Sequence, residues 1–142
     1  MNIIGKSKPE KDIQELDLAH FPIPWKESDW LTLDMGQHRL WTLEEGELIG
    51  FALFATPAGD DTAHLLKILV VPGKRGSGIA LEFWNTLAVE LKKSGFSTVY
   101  LEVEKSNERA RAFYQKVGFH LLREVKGYYS DGQAGLMLQL TL

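Results

Sequence analysis

Apolar positions along this chain recur with two different periods, and the change from one to the other marks its central unit. From Gly78 onward Ala80, Phe83, Trp84, Leu87, Ala88 and Leu91 form one stripe of a 3.6-residue period, and Gly95 supplies the left-handed stop. Between Ser97 and Glu104 the period is two. Val99, Leu101 and Val103 face one way, while Thr98, Tyr100, Glu102 and Glu104 face the other. Ahead of the helix, an apolar run from Leu65 to Val71, interrupted by Lys67, is halted by Pro72 and enters a turn carrying Gly73, Gly76 and Gly78. A strand, glycine turn, helix and strand of these lengths predict a right-handed parallel crossover. Ligands of such units lie beyond the carboxyl ends of the strands, which puts the glycine turn and the Glu102 strand end at one site.

The flanking segments complete a mixed sheet. Met1 to Lys6 reads as a short edge strand, and Ser7-Lys8-Pro9-Glu10 as the start of a helix reaching about Ala19. Phe21-Pro22-Ile23-Pro24-Trp25 is a proline-stiffened loop, and Ser28 to Leu33 suggests a second short helix ended by Gly36. Strands His38 to Leu43 and Leu48 to Ala55 flank the turn Glu44-Glu45-Gly46-Glu47, and a strand from Ala63 to Val71 follows. Ser106-Asn107 caps a helix whose stripe is Ala110, Phe113, Tyr114 and Val117, with Gly118 closing it. Phe119 to Val125 and Leu136 to Leu142 are the last strands. The fold class is therefore α/β, in the α+β mixed sense: about seven mostly antiparallel strands with helices on both faces, in one domain spanning 1–142.

Composition narrows the function. Sixteen basic against nineteen acidic residues leave a net charge of -3, which gives no electrostatic basis for broad nucleic-acid binding. The absence of cysteine excludes disulfides, thiolate metal sites and a cysteine nucleophile. His20, His38, His64 and His120 have no metal-ligand spacing, so no metal is expected, and all four read as structural or surface residues. No stretch approaches the roughly 20 apolar residues of a membrane helix, and no leader pattern opens the chain. The cytoplasm is the expected location.

A helix that starts just after a glycine turn offers unpaired N–H groups and the positive end of its dipole, so the turn is a candidate diphosphate site. The dinucleotide fingerprint fails because Leu81 stands where glycine or alanine belongs. The nucleotide P-loop fails because Ile79-Ala80 stand where Lys-Ser/Thr belongs. What the turn matches is the form R-x-x-G-x-A, in Arg75-Gly76-Ser77-Gly78-Ile79-Ala80 after Val70-Val71-Pro72. Downstream, Leu101-Glu102-Val103, Ser106-Asn107 with Ala110, and Tyr114 with Gly118-Phe119 follow L-E-V-x-x-S-N-x-x-A-x-x-x-Y-x-x-x-G-F.

In these two motifs the chain resembles the GCN5-related N-acetyltransferases (GNAT family). The resemblance implies acetyl-coenzyme A as cosubstrate, its pyrophosphate on the backbone of Gly76, Ser77, Gly78, Ile79 and Ala80 with Arg75 adding charge. It implies that the backbone of Ile68, Leu69 and Val70 pairs with the pantetheine arm, and that Asn107 touches the cofactor, although helix capping explains Asn107 equally well. Ala19-His20-Phe21, Pro24-Trp25, Leu101-Glu102-Val103 and Tyr128-Tyr129 are similar to the RimI type, which acetylates the N-terminal alanine of a ribosomal protein. That likeness makes Glu102 the general base and Tyr114 the general acid of a direct transfer in a ternary complex. Trp25, Tyr128 and Tyr129 are either packing residues or walls of the acceptor site. Two departures stand out: Gln133-Ala134-Gly135 replaces acidic residues, and Lys67 replaces a neutral polar one. They keep open a small-amine acceptor such as a polyamine, amino acid or aminoglycoside, and an acetyl-coenzyme A binding module without turnover.

Overall fold

A computed structural model describes residues 1–142. Its elements run β1 (Asn2–Lys6), α1 (Lys11–His20), α2 (Glu27–Leu31), β2 (His38–Glu44), β3 (Leu48–Ala55), β4 (Thr62–Val70), α3 (Ile79–Lys93), β5 (Thr98–Glu104), α4 (Glu108–Val117), β6 (His120–Val125) and β7 (Gly135–Thr141). All seven strands join one sheet in the order β1-β2-β3-β4-β5-β7-β6. Only β4 and β5 are parallel, and α3 is the crossover between them.

The two periods of the sequence become the two faces of that sheet. The α3 stripe buries Phe83, Trp84, Leu87 and Leu91 against Leu43, Ile49, Phe54, Leu65, Val99 and Leu101, with Phe113 and Tyr114 of α4 packed at the margin. Each such burial stabilises the fold by about 1.5–3 kcal/mol. On the opposite face Ile13 of α1 and Trp30 of α2 close over Leu40, Phe51, Leu53 and Leu69.

Two helix starts differ from the sequence reading. Ser7 does not cap α1; β1 stays paired through Lys6, opposite Leu40, and the helix begins at Lys11 with Glu10 as its uncapped boundary. Helix α2 opens one residue early because the Asp29 carboxylate accepts the Lys26 N–H at 2.9 Å.

One departure from a regular sheet organises the site. The β4–β5 ladder pairs Thr62 with Thr98, Ala63 with Val99 and His64 with Tyr100, and then stops. Strand β4 continues along β3 to Val70 opposite Gly50, while β5 continues along β7 to Glu104 opposite Gly135. The two halves therefore diverge and leave a gap. At the point of divergence β4 carries a bulge, with Leu53 opposite Lys67 and Phe54 opposite Leu65, so that Leu66 is the extra residue. A bulge bends its strand and increases local twist.

The β3–β4 contact across from the gap is tight. A Cβ at Gly50 would lie 2.4 Å from the Leu69 carbonyl oxygen. Gly50→Ala is expected to lower unfolding stability by about 1–3 kcal/mol as an overpacking change. Urea denaturation checks this, and an unchanged midpoint would show that β4 can shift freely there.

Candidate active site

The glycine turn is built for close approach. Pro72–Lys74 form a single 3-10 turn, after which Gly76 and Gly78 adopt φ values of 81° and 82° that only glycine takes without strain. A Cβ at either would meet nothing within 4 Å, so the space above the turn is open. Gly78 bounds α3 without a side-chain cap, and the first helical N–H bond is that of Glu82 to the Gly78 carbonyl. The N–H groups of Ile79, Ala80 and Leu81 are thus free for an anion. Ser77 turns its hydroxyl inward onto the Lys74 carbonyl at 2.7 Å and shapes the turn.

Two arginines flank this turn. The Arg75 Nε donates to the Val70 carbonyl at 3.0 Å. Burial, and then the positive charge of Arg109 on α4, hold the Arg75 pKa below its usual value. Neither guanidinium has a carboxylate partner among the ion pairs. Two like charges gathered beside free N–H groups favour a polyanion. Asn107 accepts the Ala110 N–H at 3.2 Å and acts as the cap of α4.

Ile68, Leu69 and Val70 follow the last β4–β5 pair, so their backbone edge borders the gap. The side chain of Leu69 is buried under α1 and α2, and Ile68 packs on the α3 face. Both anchor the strand while its edge stays available.

Across the gap, Glu102 lies on the face shared with α1 and α2. Its Oε2 is 2.6 Å from the Nε2 of His64, and an ionised carboxylate only accepts, so His64 is the donor. The His64 ring meets that of Tyr100 at a tilt of 54°, with centroids 5.0 Å apart. The Tyr100 hydroxyl donates to the Met137 sulfur at 3.0 Å, and its pKa is raised by burial and then by Glu102. Tyr114 is on the opposite face, its ring 5.5 Å from Phe119 and 5.8 Å from Phe113. Glu102 and Tyr114 thus belong to different faces of the sheet, which is open between β4 and β5.

The acetyltransferase (GNAT) family model matches residues 8–119. The [ribosomal protein bS18]-alanine N-acetyltransferase of Haemophilus influenzae is 31% identical over 125 residues, 87% of this chain and 83% of that protein. This chain belongs to the GNAT family of acetyltransferases. In fold it matches the crystal structure of the ribosomal-protein-S18-alanine N-acetyltransferase from Escherichia coli with a TM-score of 0.82 at 24% identity, covering 99% of this chain and 94% of that one. An aminoglycoside 6'-N-acetyltransferase complexed with coenzyme A also gives 0.82, at 16% identity, covering 99% of this chain and 97% of that one. The protein is an acetyl-coenzyme A-dependent acyltransferase, and the open turn, the paired arginines and the gap fit that cosubstrate. No three His, Cys, Asp or Glu side chains are grouped so as to hold a metal ion, and no helix is long and apolar enough to cross a membrane.

The last connection of the acetyltransferase brings two more tyrosines to this region. Tyr128 and Tyr129 meet edge to face, with centroids 5.0 Å apart. The Tyr128 ring lies over Gly135, where a Cβ would come within 2.8 Å, so glycine in the Gln133-Ala134-Gly135 stretch makes room for it. Burial, with the charges of Glu104 and Glu102, pushes the Tyr129 pKa up to about 12. Tyr129 in turn acts on Tyr114, whose pKa burial also pushes up to about 12.

Three contacts were not read from the sequence of this acetyltransferase. His64 has no motif around it and is brought to Glu102 only by the parallel register. Arg109 sits in a charged first turn that looks like an ordinary solvated helix start. Lys67, noted only as a departure, makes a buried ion pair with Asp17 at 2.7 Å.

Tyr114 makes a prediction at alkaline pH. Its folded pKa lies above the unfolded value of about 10. Its contribution to stability is complete below pH 10 and is lost as pH rises toward 12. Tyr114→Phe is expected to flatten the decline in thermal midpoint between pH 9.5 and pH 11, roughly the window that opens at the unfolded pKa. Parallel declines in both proteins would show that the phenol is solvated.

Proposed function

We propose that this acetyltransferase acetylates the N-terminal α-amine of a protein, with the alanine of a ribosomal protein as the acceptor favoured by its relatives' names. The observation that carries the reading is the Glu102 carboxylate, bonded to His64 on the open sheet face and bordered by Tyr100, Tyr128 and Tyr129. A base here faces the acceptor side of the gap.

In the proposed reaction, Gly76, Ser77, Gly78, Ile79 and Ala80 hold the pyrophosphate through backbone N–H groups, and Arg75 and Arg109 neutralise it. Asn107 borders the cofactor from the α4 cap. Ile68, Leu69 and Val70 direct the pantetheine arm along the β4 edge, bringing the thioester into the gap. A chain-terminal amine has a pKa near 8 against about 10.4 for lysine, so at neutral pH it supplies far more of the unprotonated nucleophile. Glu102 takes the amine proton as nitrogen attacks the thioester carbon, directly or through one water. The C–S bond breaks, and Tyr114, kept protonated by its high pKa, donates its proton to the departing thiolate. His64 fixes the carboxylate and holds the other end of its charge. Trp25, Tyr128 and Tyr129 form the acceptor walls. Such an enzyme would work in the cytoplasm, where its acceptor and acetyl-coenzyme A are both present.

A second reading keeps the chemistry but takes a small amine. It is favoured by the neutral Gln133-Ala134-Gly135 stretch, in which Gln133 bonds to Asp131 and Ser106 instead of presenting charge. Release of free coenzyme A with an alanine-first peptide and with a mixture of polyamines, amino acids and aminoglycosides separates the two. Acetylation of the peptide α-amine, located by mass spectrometry, is expected; turnover with small amines alone would discard the protein acceptor.

Glu102→Gln is expected to lower kcat by about 10²-fold or more, and Tyr114→Phe by a comparable factor, with the KM for acetyl-coenzyme A unchanged. Full turnover in both variants would remove the assigned base and acid. Binding of acetyl-coenzyme A without transfer to any amine would identify a binding module.

A further inference from the structure

The most deeply buried charges in the molecule lie beside the acceptor face and take no part in the chemistry above. Asp17, near the end of α1, is fully buried, and the side chain of Lys67 is 5% exposed. Lys67 Nζ donates to Asp17 Oδ1 at 2.7 Å. The second oxygen, Oδ2, accepts the backbone N–H of Trp25 at 2.8 Å. The Lys67 cation lies 4.3 Å from the Phe21 ring centroid and 5.2 Å from that of Trp25. One carboxylate therefore ties both ends of the Phe21–Trp25 loop, through its own helix end and through Trp25, and one cation seats the two rings.

The position of this cluster gives it a functional sense. Lys67 directly follows the Leu66 bulge and stands on β4 past the last pair with β5. Its side chain is on the same sheet face as His64 and Glu102, the face that α1 and α2 cover over β2 to β4. The Phe21 and Trp25 rings thus sit over β4 where that strand borders the gap. A buried pair of this kind is poor support for stability, because apolar replacement of both partners is often neutral or better. Accepting the backbone N–H of Trp25 is a role that an apolar side chain cannot fill.

We infer that Asp17, with Lys67 as its counter-charge, is a positioning residue that fixes Trp25 as a rigid acceptor wall and so sets acceptor affinity and selectivity. This rests on the reading of that face as the acceptor site.

Two double variants test it without leaving a lone buried charge. Asp17→Asn with Lys67→Met keeps an oxygen for the Trp25 N–H; Asp17→Leu with Lys67→Met removes it. Trp25 is the one tryptophan of four that is not buried, so acrylamide quenching of tryptophan fluorescence reports on its loop. For the leucine double variant we expect stronger quenching and an alanine-peptide KM raised about tenfold, the scale of one lost charged hydrogen bond. The preference for an alanine-first over a leucine-first peptide should fall with it, while kcat at saturation and the KM for acetyl-coenzyme A hold. The asparagine double variant is expected to stay within about threefold of wild type in acceptor KM, since the hydrogen bond survives. If both double variants have the same acceptor KM, the inference is overturned. Raised quenching with an unmoved acceptor KM would also overturn it, while leaving Glu102 and Tyr114 in place. Absence of transfer by the wild-type protein to any amine would remove the acceptor reading itself, and the wall with it.

Discussion

Everything in the site depends on the early end of the β4–β5 ladder. Parallel strands joined by a crossover helix would ordinarily pair along their length, and here they pair over three residues. The Leu66 bulge turns β4 aside, while full pairing with β7 holds β5 in place. The cost is a row of backbone groups without a strand partner. An extended substrate can supply what β5 does not, much as an added strand would. The same divergence opens the sheet from one face to the other, and in the proposed reaction that is how a base on one face and an acid on the other serve a single thioester.

The charges around the gap follow the same division. At the turn, Arg75 and Arg109 are gathered with free helix N–H groups and neither is ion-paired to a carboxylate, an arrangement that an arriving anion relieves. On the face of Glu102, burial and then the carboxylate charges, Glu102 at Tyr100 and Tyr128 and Glu104 with Glu102 at Tyr129, raise the pKa of the surrounding phenols. Farther along β4, the Asp17–Lys67 pair is internally neutral and acts through geometry. Each charge has a place that its burial and partners explain.

Much of this was legible in the sequence because it is written in local periodicity. The α3 stripe from Ala80 to Leu91, the alternation around Glu102 and the glycines at 76 and 78 each specify their own element, and together they specified the crossover and the family. The gap was not legible. A bulge at Leu66 has no residue signature, and the register that brings His64 to Glu102 is set by strands 38 positions apart. Asp17 and Lys67, separated by 50 positions, looked like an ordinary helix acid and a strand interruption. Asn107 shows the converse: its capping role was legible, and that role is the one its hydrogen bond displays.

In the proposed reaction the unpaired edge of β4 receives the arm of acetyl-coenzyme A, and amide hydrogen exchange with and without coenzyme A reads that edge. New protection is expected in the Ile68–Val70 segment together with the Gly76–Leu81 turn. Protection at the turn with none along Ile68–Val70 would contradict it.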